Sequence, residues 1–278
     1  NISEQVKGAA FLAHPYRWSV IGYESDIKNW SIEDLQTYFD TYYAPNNAVV
    51  VISGDVSVSE VKKLAVQYFE PIVSKATPRA IHTVEPEQMG QKRVMVRKQV
   101  STPNVMLAYH VPETKHSDYY ALDLLNAILS DGNSSRLYSE LIDKKQLATS
   151  VFSYMPESID PNLFYLYGVA SPGVQAETLE QEMVSVIETI AIEGVSEREL
   201  QKVKNQKLVA LYNSLETIDG KSNTLGTYEL YFGDYRKMFD APKSYEKVTL
   251  EDIQRVAQQY FKKDNSTVGF LMDKADSL

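Results

Sequence analysis

No cysteine occurs in the 278 residues. Disulfides, thiolate metal sites and thiol nucleophiles are therefore excluded together, although a chain without disulfides fits any compartment. Histidine is also scarce: His14, His82, His110 and His116 are the whole imidazole supply. Basic side chains are outnumbered, 28 Lys and Arg against 37 Asp and Glu, for a formal net charge of −9. That balance argues against a nucleic-acid binder, whose footprint is clustered Lys and Arg. No run approaches the roughly 18 apolar residues of a membrane span. Residues Asn1 to Gln5 place no basic region ahead of an apolar run, so no signal-peptide pattern is visible, and no Met opens the chain. The expectation is a fragment or a processed form.

What is present is globular. Hydrophobic residues make up 44% and charged residues 23%, a composition that buries a core rather than staying disordered. An internal repeat organises the chain. Residues 29–55 align without a gap on residues 247–273 at an offset of 218, with seven identities. Glu33, Asp34, Gln36, Tyr42, Asn47, Val50 and Asp55 meet Glu251, Asp252, Gln254, Tyr260, Asn265, Val268 and Asp273. Ser31 and Thr249 each precede an acidic residue by three positions, as in a capping box. Helical apolar spacing follows in both copies, then an Asn-containing turn, then a strand-like run (Val49 to Ile52; Val268 to Leu271).

If the repeat unit is about as long as this offset, the second copy is nearly whole and the first lacks its front, which is expected before Asn1. The chain then divides into the tail of a first domain (1–74), a linker (75–91) carrying Pro78 and Pro86, and a complete second domain (92–278). Within the latter, strands are expected at 93–99, 103–111, 149–155, 163–170 and 267–272. Helices are expected at 118–130, 134–146 and 176–192, from Ser196 through about Leu215, and after Thr249. This irregular alternation, with 149–155 and 163–170 as a hairpin, implies an α+β fold.

Candidate chemistry is sparse. His82-Thr83-Val84-Glu85-Pro86 begins like an inverted zinc-peptidase motif, but Pro86 replaces the last His and breaks the helix that would align the ligands. His110, Glu113 and His116 form a valid zinc set in composition, yet Pro112 interrupts them; a strand-end His and a loop His is the other reading. His14 reads as a structural turn residue. There is no G-x-S-x-G elbow and no phosphate-binding Gly-rich loop. Gly132-Asn133-Ser134-Ser135-Arg136 places hydroxyls and an Arg at a helix N-terminus, where free N–H groups can receive a carboxylate or phosphate. Gly132, Ser134, Ser135 and Arg136 are thus the candidate substrate-binding residues; simple capping by Ser134 is the alternative. Nineteen tyrosines supply surface suited to peptide contact.

A run of motifs carries a family resemblance. His14-Pro15-Tyr16-Arg17-Trp18-Ser19-Val20-Ile21-Gly22, Asp26-Ile27, Asp34-Leu35, Tyr43-Ala44-Pro45-Asn46-Asn47-Ala48 and Gly54-Asp55 resemble the closing part of the first domain of insulinase/pitrilysin-family zinc metallopeptidases. Tyr109-His110-Val111-Pro112, Ala121-Leu122 through Ile128-Leu129, Gly132 to Tyr138 and Gln146-Leu147-Ala148 resemble their second domain. The likeness covers nearly the whole chain. It points to the short bacterial branch related to mitochondrial processing peptidase.

The resemblance implies a mixed, largely antiparallel sheet packed against helices in each of two homologous domains. It implies zinc on an H-x-x-E-H helix of the parent protein, whose glutamate activates a zinc-bound water against a peptide bond. This chain contains no such motif, so no catalytic residue and no metal ligand is expected in it. The family's second domain also brings an Arg and a Tyr, seven residues apart, towards substrate. Aligned through Gln146-Leu147-Ala148, those positions hold Ile142 and Thr149. The implied partners are a peptide substrate and a homologous peptidase subunit, and the implied setting is the periplasm or cell envelope, with the cytoplasm as alternative.

Overall fold

The computed structural model describes residues 1–274; the last four residues of the expected 92–278 domain lie outside the described residues. In chain order the elements are α1 (Ile2–Ala10), α2 (Glu24–Asn29), α3 (Ile32–Tyr42), α4 (Val58–Tyr68), β1 (Lys92–Arg97), β2 (Asn104–Val111), α5 (Tyr119–Ser130), a π-helical segment (Tyr138–Lys144), β3 (Ala148–Tyr154) and β4 (Asn162–Ala170). They continue with α6 (Ala176–Glu193), α7 (Glu197–Ser214), α8 (Ile218–Phe232), α9 (Ala241–Lys247), α10 (Leu250–Tyr260) and β5 (Ser266–Met272). Two compact units result. One comprises Asn1–Trp18, Val84–Val209 and Asp240 onward; the other comprises Ser19–Thr83 and Ala210–Phe239.

The first unit is built on a five-stranded sheet of order β1-β5-β2-β4-β3. β1 and β5 run parallel, while the β2–β5, β2–β4 and β3–β4 pairs are antiparallel. The fold is therefore α+β with a mixed, largely antiparallel sheet. β1 and β2 are sequence neighbours, yet β5 is inserted between them.

Strand alternation assigns the two faces. Met106 and Ala108 join Leu163, Tyr165 and the α1 residues Ile2, Val6 and Ala10 in one buried cluster. Gly168, opposite Val105, turns the other way and meets Met183 and Leu179 of α6. Covered on both sides, β2 reads as a nearly continuous apolar run. The approach of α1 is close enough to require a glycine: a Cβ on Gly269 would stand 2.2 Å from Val6 Cγ2. Residues 1–18, which the expected division assigns to the tail of the first domain (1–74), are part of the sheet's own unit.

Polar ties hold the layers in register. The Glu85 carboxylate accepts N–H bonds from Leu12, Ala13 and His14 at 2.5, 2.9 and 2.8 Å, pinning the chain after α1. Asp118, at the start of α5, accepts from Arg255 at 2.8 Å and from the Tyr260 hydroxyl at 2.6 Å, both from the α10 region.

The second unit retains local structure without a core of the same kind. Ser31 and Asp34 form a capping box on α3, matching Thr249 and Asp252 on α10. Asn47 donates to the Tyr42 carbonyl at 2.9 Å, as Asn265 donates to the Tyr260 carbonyl at 2.6 Å. The two copies therefore share a cap, a helix and an Asn-held turn. They diverge in packing. α10 buries Ile253, Val256 and Ala257, whereas α3 and α4 bury no residue. Val49 to Ile52, expected as a strand, pair with no sheet among the described residues. Their counterparts lie in β5, gripped by β1 and β2.

Candidate functional site

α5 ends at Ser130, and Gly132 turns the chain with φ +79°, a left-handed conformation that glycine adopts without strain. The expected helix over 134–146 becomes the π-helical segment Tyr138–Lys144, followed by Gln146 at φ 54°. π-Helical turns are rare and tend to mark functional sites. Ile142 sits half-buried within this segment. Thr149 is exposed on β3, an edge strand, with its hydroxyl donating to the Val169 carbonyl at 3.4 Å.

Among the four candidate substrate-binding residues, Arg136 is engaged internally. Its Nε and Nη2 reach Glu199 Oε1 and Oε2 at 2.7 and 3.0 Å, and Nη2 also approaches the Gly194 carbonyl at 3.5 Å. Glu199 simultaneously accepts from the Ser196 backbone N–H at 2.9 Å and hydroxyl at 2.8 Å. Ser134 accepts from Lys202 at 3.0 Å. Ser135 is buried, and its hydroxyl lacks a partner. Binding a substrate anion through Arg136 would require the guanidinium to leave Glu199. Glu199 thus caps the start of its own helix at Ser196 and also takes the long-range bond from Arg136, of which the local sequence carries no sign.

The Arg136 guanidinium holds the Glu199 carboxyl down to about 2, against an ordinary 4.5, outweighing burial, which acts the other way. A depressed carboxyl pKa contributes stability that is complete above the unfolded value and is lost as pH falls towards the folded one. Glu199→Gln is therefore expected to flatten the acid side of the stability profile between pH 4.5 and about 2. Urea denaturation at stepped pH measures this, and an unchanged profile contradicts the assignment.

Three of the four histidines, His14, His110 and His116, make structural contacts. His14 is 3% exposed; its Nδ1 accepts from the Tyr16 N–H at 3.2 Å, and its Nε2 lies 3.5 Å from Asp160 Oδ2. His110 is in β2 with its ring edge-on to Phe11 at 5.3 Å. His116 Nδ1 accepts from the Asp118 N–H at 3.1 Å. Among the described residues, no three His, Asp or Glu side chains converge in a way that could hold a metal ion. These residues therefore do not fit a zinc centre.

Residues 29–207 match the family described as the peptidase M16 inactive domain. The chain belongs to the M16 peptidase family. This M16 chain is 36% identical over 269 residues to zinc protease PqqE of Helicobacter pylori, covering 94% of this chain and 60% of that protein. It is 26% identical to the uncharacterized zinc protease YmxG of Bacillus subtilis, covering 95% of this chain and 63% of that one. The M16 chain thus spans about three fifths of the curated relatives it matches. A crystal structure of a protease from Helicobacter pylori superposes with a TM-score of 0.89 at 34% identity, covering 96% of this chain and 65% of the other. The M16 inactive domain from Pseudomonas fluorescens also gives 0.89, at 19% identity, covering 100% and 66%, which speaks for the fold alone.

Proposed function

We propose that this chain is the C-terminal portion of a zinc-dependent metalloendopeptidase subunit. In this reading it helps enclose and position peptide substrate, while the zinc site lies on residues outside it. The observation that carries the reading is the unequal packing of the two repeat copies. The second copy is a finished helix and strand inside a sheet. The first has the same capped helix and turn, but leaves Ile32, Leu35 and Phe39 at 86%, 54% and 51% exposure and Val49 to Ile52 unpaired. Strands from a preceding segment would complete that copy, and the same segment would supply the zinc helix. The relatives named zinc proteases are longer than this chain, which supports the reading.

Ile142 and Thr149 favour a second reading. An aliphatic side chain cannot bind a carbonyl or carboxylate, and a Thr is too short to replace a phenol. Either a homologous partner subunit contributes the Arg and Tyr, or the parent is a non-catalytic scaffold of a heterodimeric peptidase. A periplasmic or envelope setting belongs to the first reading.

Hydrogen exchange tests the packing claim. The amides of residues 49–52 are expected to exchange rapidly in the 278-residue chain. They are expected to become protected, by a hundredfold or more, in the polypeptide extended upstream of Asn1. Equal exchange in both would overturn the reading. An H-x-x-E-H helix in the upstream residues separates the peptidase from the scaffold.

A further inference from the structure

The α6-covered side of the sheet contains an open cleft beside edge strand β1, with a volume of about 510 Å³. Arg93 of β1 and Tyr109 of β2 line it on the sheet side, Glu177, Glu180 and Glu188 of α6 form one wall, and Lys263 stands in the turn between α10 and β5. Everything that lines it belongs to the sheet's own unit.

The charges in this cleft are unevenly satisfied. Glu180 gives both carboxylate oxygens to Arg93, each at 2.7 Å, so that pair is internally neutral. Glu177 and Glu188 have no ion-pair partner among the described residues, which leaves two carboxylates against Lys263. Tyr109 is 2% exposed, yet its hydroxyl has no hydrogen-bond partner among the described residues. Because Tyr109 also lines the open cleft, a ligand there can reach it. Burial first, then the negative fields of Glu180 and Glu188, push the Tyr109 pKa upward, so the phenol stays neutral and offers a lone pair.

We propose that this cleft binds an alkylammonium group, with Glu188 as counter-charge and the Tyr109 hydroxyl as hydrogen-bond acceptor. Glu177 lies eleven residues from Glu188 on α6, a rise of about 16 Å, and provides a second anchor for a linear ligand with a further cationic group. An ammonium carries three donors and no acceptor, which suits a cleft that presents a phenol oxygen and two exposed carboxylates without ion-pair partners among the described residues. Two sources share this chemistry: a lysine side chain on a peptide and a free linear polyamine. The site uses no metal and stands apart from the zinc reading.

Isothermal titration of the 278-residue chain with spermidine, and separately with an end-blocked tripeptide carrying a central lysine, tests the proposal. Saturable one-to-one binding of at least one probe is expected. Binding of only the tripeptide assigns a peptide ligand, and binding of only spermidine assigns a polyamine. Glu188→Gln and Tyr109→Phe should each weaken binding roughly tenfold, as for loss of a hydrogen bond to a charged group. Glu251→Gln, on an exposed position of α10, should leave it unchanged. Circular dichroism checks folding, and the Glu188 variant serves alone if the Tyr109 variant fails to fold. Absence of saturable binding by both probes, or binding unaffected by Glu188→Gln, would overturn the proposal.

Discussion

Gly269→Ala is expected to destabilise the sheet unit by about 2–3 kcal/mol, because overpacking a closed core forces side chains and backbone to shift. The added Cβ would stand 2.2 Å from Val6 Cγ2 and 3.2 Å from Ile2 Cγ1. Neither neighbour can swing into solvent, since Val6 is 0% and Ile2 5% exposed. Val6→Ala removes the clashing methyl groups and on its own costs about 1–2 kcal/mol of burial. Combined in one chain, the two substitutions should cost less than their sum by at least about 1 kcal/mol. Urea denaturation of the two single variants and the double variant measures this coupling. Strict additivity would contradict the docking of α1 on β5.

Asp118→Ala is expected to be as costly, about 3 kcal/mol, for a different reason. The Asp118 carboxylate is 8% exposed on its side chain and takes hydrogen bonds from Arg255 at 2.8 Å and Tyr260 at 2.6 Å. Removing it strands a phenol and part of a guanidinium between α5 and α10. Arg255 is 46% exposed, so water recovers some of its share. Burial on its own would raise the Asp118 pKa, but the bonds from Arg255 and Tyr260 outweigh it and hold the carboxyl below the usual range. That contribution is complete above the ordinary carboxyl pKa, 3.8, and is lost as pH falls below it. Tyr260→Phe should cost less, since the carboxylate keeps Arg255. Equal stability of Asp118→Ala and the parent chain at neutral pH would contradict this account.

Local signals in the sequence carried much of the fold. The capping boxes at Ser31 and Thr249 formed. The 149–155 and 163–170 alternation became the antiparallel β3–β4 pair. Long-range facts were not legible. Nothing local says that β5 inserts between β1 and β2, or that α1 covers the far face, because those pairings are decided by which apolar surfaces remain to be buried. The π-helical turn at Tyr138–Lys144 escaped the helix reading because apolar spacing over seven residues does not separate a π from an α turn. Among the candidate site residues, Arg136 was expected at a helix start, and its bond to Glu199, 63 positions away, left no mark in its own neighbourhood. The run Val49 to Ile52 read as a buried strand from its β-branched residues. Its isolation in the fold is informative because the second copy shows the packing that such a run receives when its neighbours are present.

The central claim is that this M16 chain frames substrate while the zinc chemistry is supplied from residues outside it. Zinc content and fluorogenic-peptide cleavage, measured side by side on the 278-residue chain and on the polypeptide extended upstream and mixed with its homologous partner subunit, test it most directly. The account predicts neither stoichiometric zinc nor turnover for the 278-residue chain, and one zinc with peptide cleavage for the extended assembly. Stoichiometric zinc and robust turnover from these 278 residues alone would contradict it.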